Sequence, residues 1–128
     1  MKKKLQNTVY FGDRLSSYIK MPTMTKERKL FEEIRNTLIS DFQNVKAGKM
    51  MSSEAIHFDH KVFAFISRKD KMVFKLGKDF DVRQFDYPVT PFSPFKTKSP
   101  LSGWYEVDFV HHHSWEDMAR LSLELINH

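Results

Sequence analysis

Five of the six histidines are the residues in this chain best suited to chemistry: His57 and His60 mid-chain, and His111, His112 and His113 in the stretch "VDFVHHHSWED". Three imidazoles and a carboxylate can hold zinc, and Glu116 and Asp117 follow the histidine run directly. The spacing opposes that reading. Three adjacent residues in a connection cannot all aim at one ion, and the chain contains neither H-x-x-x-H nor H-E-x-x-H. Ser114 followed by Asp117 instead fits a capping box, which places Glu116 and Asp117 in a helix's first turn, where the dipole favours acids. No metal and no cofactor is expected. Nucleophilic chemistry has less behind it. The chain has no cysteine and no G-x-S-x-G elbow, and Gly12, Gly48, Gly77 and Gly103 form no phosphate-cradling loop. Asp79, Asp81 and Asp86 share one polar segment and read as a solvated face. No catalytic residue is expected, and the chain is read as not an enzyme.

The elements that position these residues follow from apolar periodicity. Leu30, Ile34, Leu38 and Phe42 fall four apart, with Phe31, Ile39 and Val45 widening the stripe, so a helix is predicted from about Thr25 to Asn44. Thr23 or Thr25 would cap it, and the "AGK" at Gly48 would end it. "AIHFDHKVFAFISRKDKMVFKL" reads as three strands, broken at Asp59-His60 and from Arg68 to Lys71. In the middle strand, alternation sends Val62, Ala64 and Ile66 to one face and Phe63 and Phe65 to the other. Both sets are apolar, so this strand is predicted to be interior and covered on both sides. "KDFDVRQFDY" is compatible with a short helix, and "PVTPFSPFKTKSP", with four prolines in thirteen residues, must be loop. "SGWYEVDFV" is a fourth strand, alternating Trp104, Glu106 and Asp108 against Tyr105, Val107 and Phe109. A last helix starts at Ser114 and carries Trp115, Met118, Leu121 and Leu125, with Leu123 or Ile126 beside them. "LQNTVYFGDRLSSYIKMP" suggests a short strand or helix before Pro22.

At 128 residues the chain is sized for one domain. No apolar run approaches the ~20 residues that span a bilayer, and "MKKKLQNTVYFGD" has a basic start without the apolar stretch of a leader. Without cysteine there is no disulfide frame, and the expected setting is the cytoplasm, with no membrane. The net charge of +5 sits mostly at one end: residues 1–23 carry +4 and residues 24–128 carry +1. A basic extension over 1–23 and an α+β domain over 24–128 are therefore expected. Such a tail attracts phosphates weakly and without sequence preference.

Two wider patterns bear on partners. "KVFAFISR" echoes the octamer of RNA-recognition domains through Lys61, Phe63, Ala64, Phe65 and Ile66, and "VYFGDRL" faintly echoes their hexamer. Val62 replaces the octamer's glycine, Arg68 replaces its last aromatic, and a hairpin follows where that fold places a helix. Nucleic-acid binding is therefore the alternative and not the favoured reading.

The second pattern covers about residues 25–127: "GKMMSSEAIHFDHKVFAFISRKDKMVFKLG", a Pro-rich gap, "GWYEVDF" and a final helix with Trp115. This order resembles the TfoX N-terminal-domain-like group, with matches at Gly48, Lys49, Met50, Lys61, Val62, Phe63, Ala64, Val73, Lys75, Leu76, Trp104 and Val107. Ser52 and His60 stand where that pattern favours glycine, and a proline is missing after the Trp strand. The resemblance implies an α+β domain, with an antiparallel sheet of four to five strands packed by an N-terminal and a C-terminal helix. It also implies a regulatory or adaptor role through a protein partner. Lys49, Lys61 and Lys75 match the pattern, and either line a shared anionic groove or lie along the sheet edge with buried stems. A homodimer is expected as well, because two helices are too few to cover both faces of the middle strand.

Overall fold

The computed structural model describes residues 24–95 and 99–127; the basic extension, "VYFGDRL" and the element expected before Pro22 lie outside the described residues. Helix α1 spans Lys26–Asp41, and the Thr25 hydroxyl accepts from the Arg28 N–H at 3.1 Å, satisfying one of the free donors at its start. Phe31, Ile34 and Leu38 are its buried residues. The helix ends earlier than its apolar stripe suggests. Phe42 is already extended and its ring stays partly exposed, while Val45 is buried as the first residue of strand β1, Val45–Met50. Gly48 thus lies inside a strand and does not terminate the helix. Its role is steric: the His57 ring lies across it, and a Cβ there would come 2.5 Å from His57 Cδ2.

Strands β2 (Ser53–Phe58), β3 (Lys61–Ile66) and β4 (Met72–Lys75) are the three read from the sequence, with their breaks where expected. The polar segment contributes only a 3-10 turn, Val82–Gln84. Within the Pro-rich stretch, Thr90–Pro91 forms a two-residue strand, β5, and Trp104–Val107 forms β6. The sheet runs β1-β2-β3-β4-β6-β5 with every pairing antiparallel. The fold is α+β, as expected, with six strands rather than four to five.

Helix α2, Trp115–Ile126, lies with α1 on one face of the sheet, where Phe31, Leu38, Trp115 and Met118 meet Ile56, Ile66 and Phe74. The Trp115 indole N–H donates to the Val107 carbonyl at 3.1 Å, which ties the start of α2 to the end of β6. The buried stripe of α2 is Trp115, Met118, Ala119, Ser122 and Leu123; Leu125 is exposed. Ser122 is tolerated there because its hydroxyl donates to the Met118 carbonyl at 2.9 Å.

Simple alternation fails at one point in β3. Ala64 pairs with Ile56 and Val62 with His57, so Phe63 is an extra residue with no partner across from it. This bulge turns Phe63 to the helix face beside Ala64 and Ile66, while Val62 joins Phe65 on the other face. Phe63 and Phe65 therefore face opposite ways. The second face is closed by the chain itself. Phe92 meets Phe65 edge-on at 5.3 Å between centroids, and Trp104, Leu101 and Val73 complete that cluster. This cover removes the uncovered-face reason for expecting a homodimer.

Two hairpin turns carry left-handed residues: Met51 (φ 50) with Ser52 (φ 65), and Asp59 (φ 49) with His60 (φ 69). Ser52 and His60 thus hold a backbone conformation that glycine adopts at least cost. Ser52→Gly should stabilise the domain by about 0.5–1 kcal/mol, as the relief of left-handed strain outweighs the added chain entropy. An unchanged or lowered denaturation midpoint would contradict this. Phe65 is 1% exposed. Phe65→Ala should cost about 3–5 kcal/mol through lost transfer energy and a residual cavity, read as a large fall in melting temperature or loss of soluble protein. A variant that melts like the parent would show that the ring is not core.

Candidate functional site

The three lysines do not converge. Lys49 lies on the edge strand β1, and its ammonium donates to Glu54 Oε2 at 2.6 Å. Arg35 of α1 reaches Glu54 Oε1 at 3.5 Å, which places this trio on the helix-covered face. The hydrogen bond from Lys49 is the main reason that the Glu54 carboxyl titrates below its ordinary value. Lys61 pairs with Phe58, at the other end of β2 from Glu54. Lys75 sits on the opposite face, its ammonium 5.9 Å from the centre of the Trp104 ring. A groove shared by all three is thus not formed, and each exposed head stands in its own surroundings.

The histidine run is neither strand nor open loop. Residues Phe109–Ser114 form two 3-10 turns kinked at His111, started by Asp108 accepting from the Val110 N–H at 3.1 Å and leading directly into α2. Ser114 precedes α2 but does not cap it: its hydroxyl donates to the His111 carbonyl at 2.7 Å. The rings are spent on stacking. His112 lies on Phe109 (4.6 Å) and beside His113 (4.1 Å), while His111 lies on Tyr87 (5.8 Å). His57 and His60 stack on each other at 5.7 Å, at the β2–β3 turn. Among the described residues, no three histidine, aspartate or glutamate side chains gather where they could hold a metal ion.

A concavity lies elsewhere. A cleft of about 500 Å³ opens between the β3–β4 turn and the Pro-rich segment. Buried Phe65 and Phe92 form its floor, and Met51 and Phe95, 47% and 54% exposed, stand at its rim. Ser67, Arg68, Lys69 and Glu106 supply its polar groups, with Ser53 and Ser93 at the margin. Two of these groups are committed to the scaffold. The Ser67 hydroxyl accepts from the Lys71 N–H at 3.3 Å, and Glu106 faces the Lys71 ammonium at 3.5 Å. Sequence reading missed this site because its walls come from segments more than twenty residues apart. The one available signal was the Phe-Pro alternation of "PVTPFSPF", which periodicity reads only as loop.

No family model matches the chain, and neither does any curated protein or solved structure.

The Glu54 site yields a pH prediction. A carboxyl depressed in the folded state contributes stability above its unfolded value near 4.5, and that contribution is lost as pH falls through the lower folded value. The parent should therefore lose stability on acidification more steeply than Glu54→Gln, and Lys49→Met should shallow the slope in the same sense. Parallel stability curves for parent and Glu54→Gln, followed by urea melts from about pH 6 down to about pH 3, would refute this.

Proposed function

We propose that this domain acts by binding a protein partner, as a non-enzymatic regulatory or adaptor protein of the cytoplasm, in the manner of the TfoX N-terminal-domain-like group that it resembles. The observation that carries the reading is the cleft on the second sheet face, with an apolar floor and two exposed apolar side chains, Met51 and Phe95, at its rim. Exposed apolar groups around a concavity are characteristic of interaction sites. The polar groups best suited to chemistry, the Ser67 hydroxyl and the Glu106 carboxylate, are held by Lys71 and so serve the turn. The left-handed turns at Ser52 and His60 support the resemblance.

The nucleic-acid alternative is weakened where it was most specific. Base stacking needs exposed rings, and Phe63 and Phe65 are 0% and 1% exposed. Its other component, the basic extension, lies outside the described residues. Among the described residues no helix is long and apolar enough to cross a membrane.

The test is capture from a native lysate on the full-length chain, with and without nuclease, in parallel with Met51→Glu. A protein retained after nuclease treatment and lost with Met51→Glu, while that variant melts like the parent, is the expected result. Capture that disappears with nuclease would overturn the reading in favour of nucleic acid.

A further inference from the structure

We propose that the cleft between the β3–β4 turn and the Pro-rich segment is a binding site for a small organic anion. Its apolar body would lie against Met51 and Pro91, which are exposed at the cleft above the buried Phe65 and Phe92, and its anionic group against Arg68 and Lys69. This goes beyond the protein-partner reading and does not depend on it.

The charge pattern of the turn carries the inference. Ser67 donates its N–H to the Lys71 carbonyl at 2.8 Å and accepts from the Asp70 N–H at 2.9 Å, so the five residues close tightly. Asp70, left-handed at φ 61, reaches back to the helix face and pairs with Arg28 at 3.1 Å. Lys71 is taken by Glu106 at 3.5 Å and Asp108 at 3.7 Å. Arg68 and Lys69 are exposed, line the cleft, and have no ion-pair or hydrogen-bond partner among the described residues. Among the described residues lining the cleft Glu106 is the acid, and it shares the Lys71 ammonium with Asp108. Two adjacent cations therefore face the cleft with no anionic partner among the described residues. The planar guanidinium of Arg68 can donate in a fork to two oxygens of a carboxylate, sulfonate or phosphate.

The walls set the rest of the ligand. Phe92 is fixed on both sides, its N–H donating to the Trp104 carbonyl at 2.9 Å and its carbonyl accepting from Leu101 at 2.8 Å. Its ring stands at 81° to Phe65, so the floor is preformed and aromatic. A volume of about 500 Å³ falls within the range of small-molecule pockets and is too small for a packed helix.

Anilinonaphthalene sulfonate and its uncharged relative N-phenylnaphthylamine are the probes, titrated by fluorescence against the full-length chain. The expected result is one sulfonate probe per chain, bound about fivefold or more tighter than the neutral one. Arg68→Gln with Lys69→Gln should abolish that preference and leave affinity for the neutral probe unchanged, with an unaltered melting temperature. Lys46→Gln with Lys78→Gln, which removes the same charge from exposed sites outside the cleft, should leave the preference intact. Equal binding of both probes by the parent, or equal weakening by the two double variants, would overturn the proposal. The outcome of the lysate capture leaves this result untouched, since the probes need no protein partner.

Discussion

Strands β3 and β4 are apolar on both faces, and the remaining architecture is an answer to that. Alternate residues of a strand point to opposite sides, so a strand with two apolar sets needs two covers. Helices α1 and α2 supply one, and with no third α-helix among the described residues the second comes from the Pro-rich segment and Trp104. Burying a phenylalanine side chain contributes roughly 1.5–3 kcal/mol, and Phe65 and Phe92 are both buried on this second face. A segment poor in backbone donors can form such a cover because it needs few ladder bonds; those it makes concentrate at Phe92, Leu101 and Trp104.

A cover of this kind is thinner than a helix. It closes over Phe65 and Val73 but not over the end of β3 that runs into the turn, and the cleft is the gap that remains. The site is thus a consequence of how the second face is buried. The same turn divides its charges between the two sides of the sheet: Asp70 to Arg28 of α1, Lys71 to Glu106 and Asp108, and Arg68 and Lys69 to the cleft. Ion pairs this exposed contribute about 0–1 kcal/mol each. Their main effect is orientation, since they determine which cations are left for a ligand.

Much of the fold could be read from residue order. The α1 stripe, the three strands with their breaks, and the Trp104 strand all carry strong periodicity, and periodicity reflects burial on one face or two. The boundaries were less legible. Val45 continues the helical spacing but is buried from β1, since an apolar residue satisfies either pattern until the backbone turns. Gly48 looks like a helix stop, yet its lack of a side chain serves the His57 ring on a neighbouring strand, a contact that no local pattern records.

By itself the sequence determined that this chain combines two helices with a sheet whose middle strand is apolar on both faces, and that its histidines lack the spacing of a metal site. Both are local facts, set by which residues recur at which interval. The bulge at Phe63, the cover from the Pro-rich segment, the separation of Lys49, Lys61 and Lys75, and the cleft with two cations unpaired among the described residues were decided only in three dimensions. Each depends on register between distant segments. One extra residue in β3 reverses the face of a ring, and a loop with no periodicity of its own is placed by what it must cover.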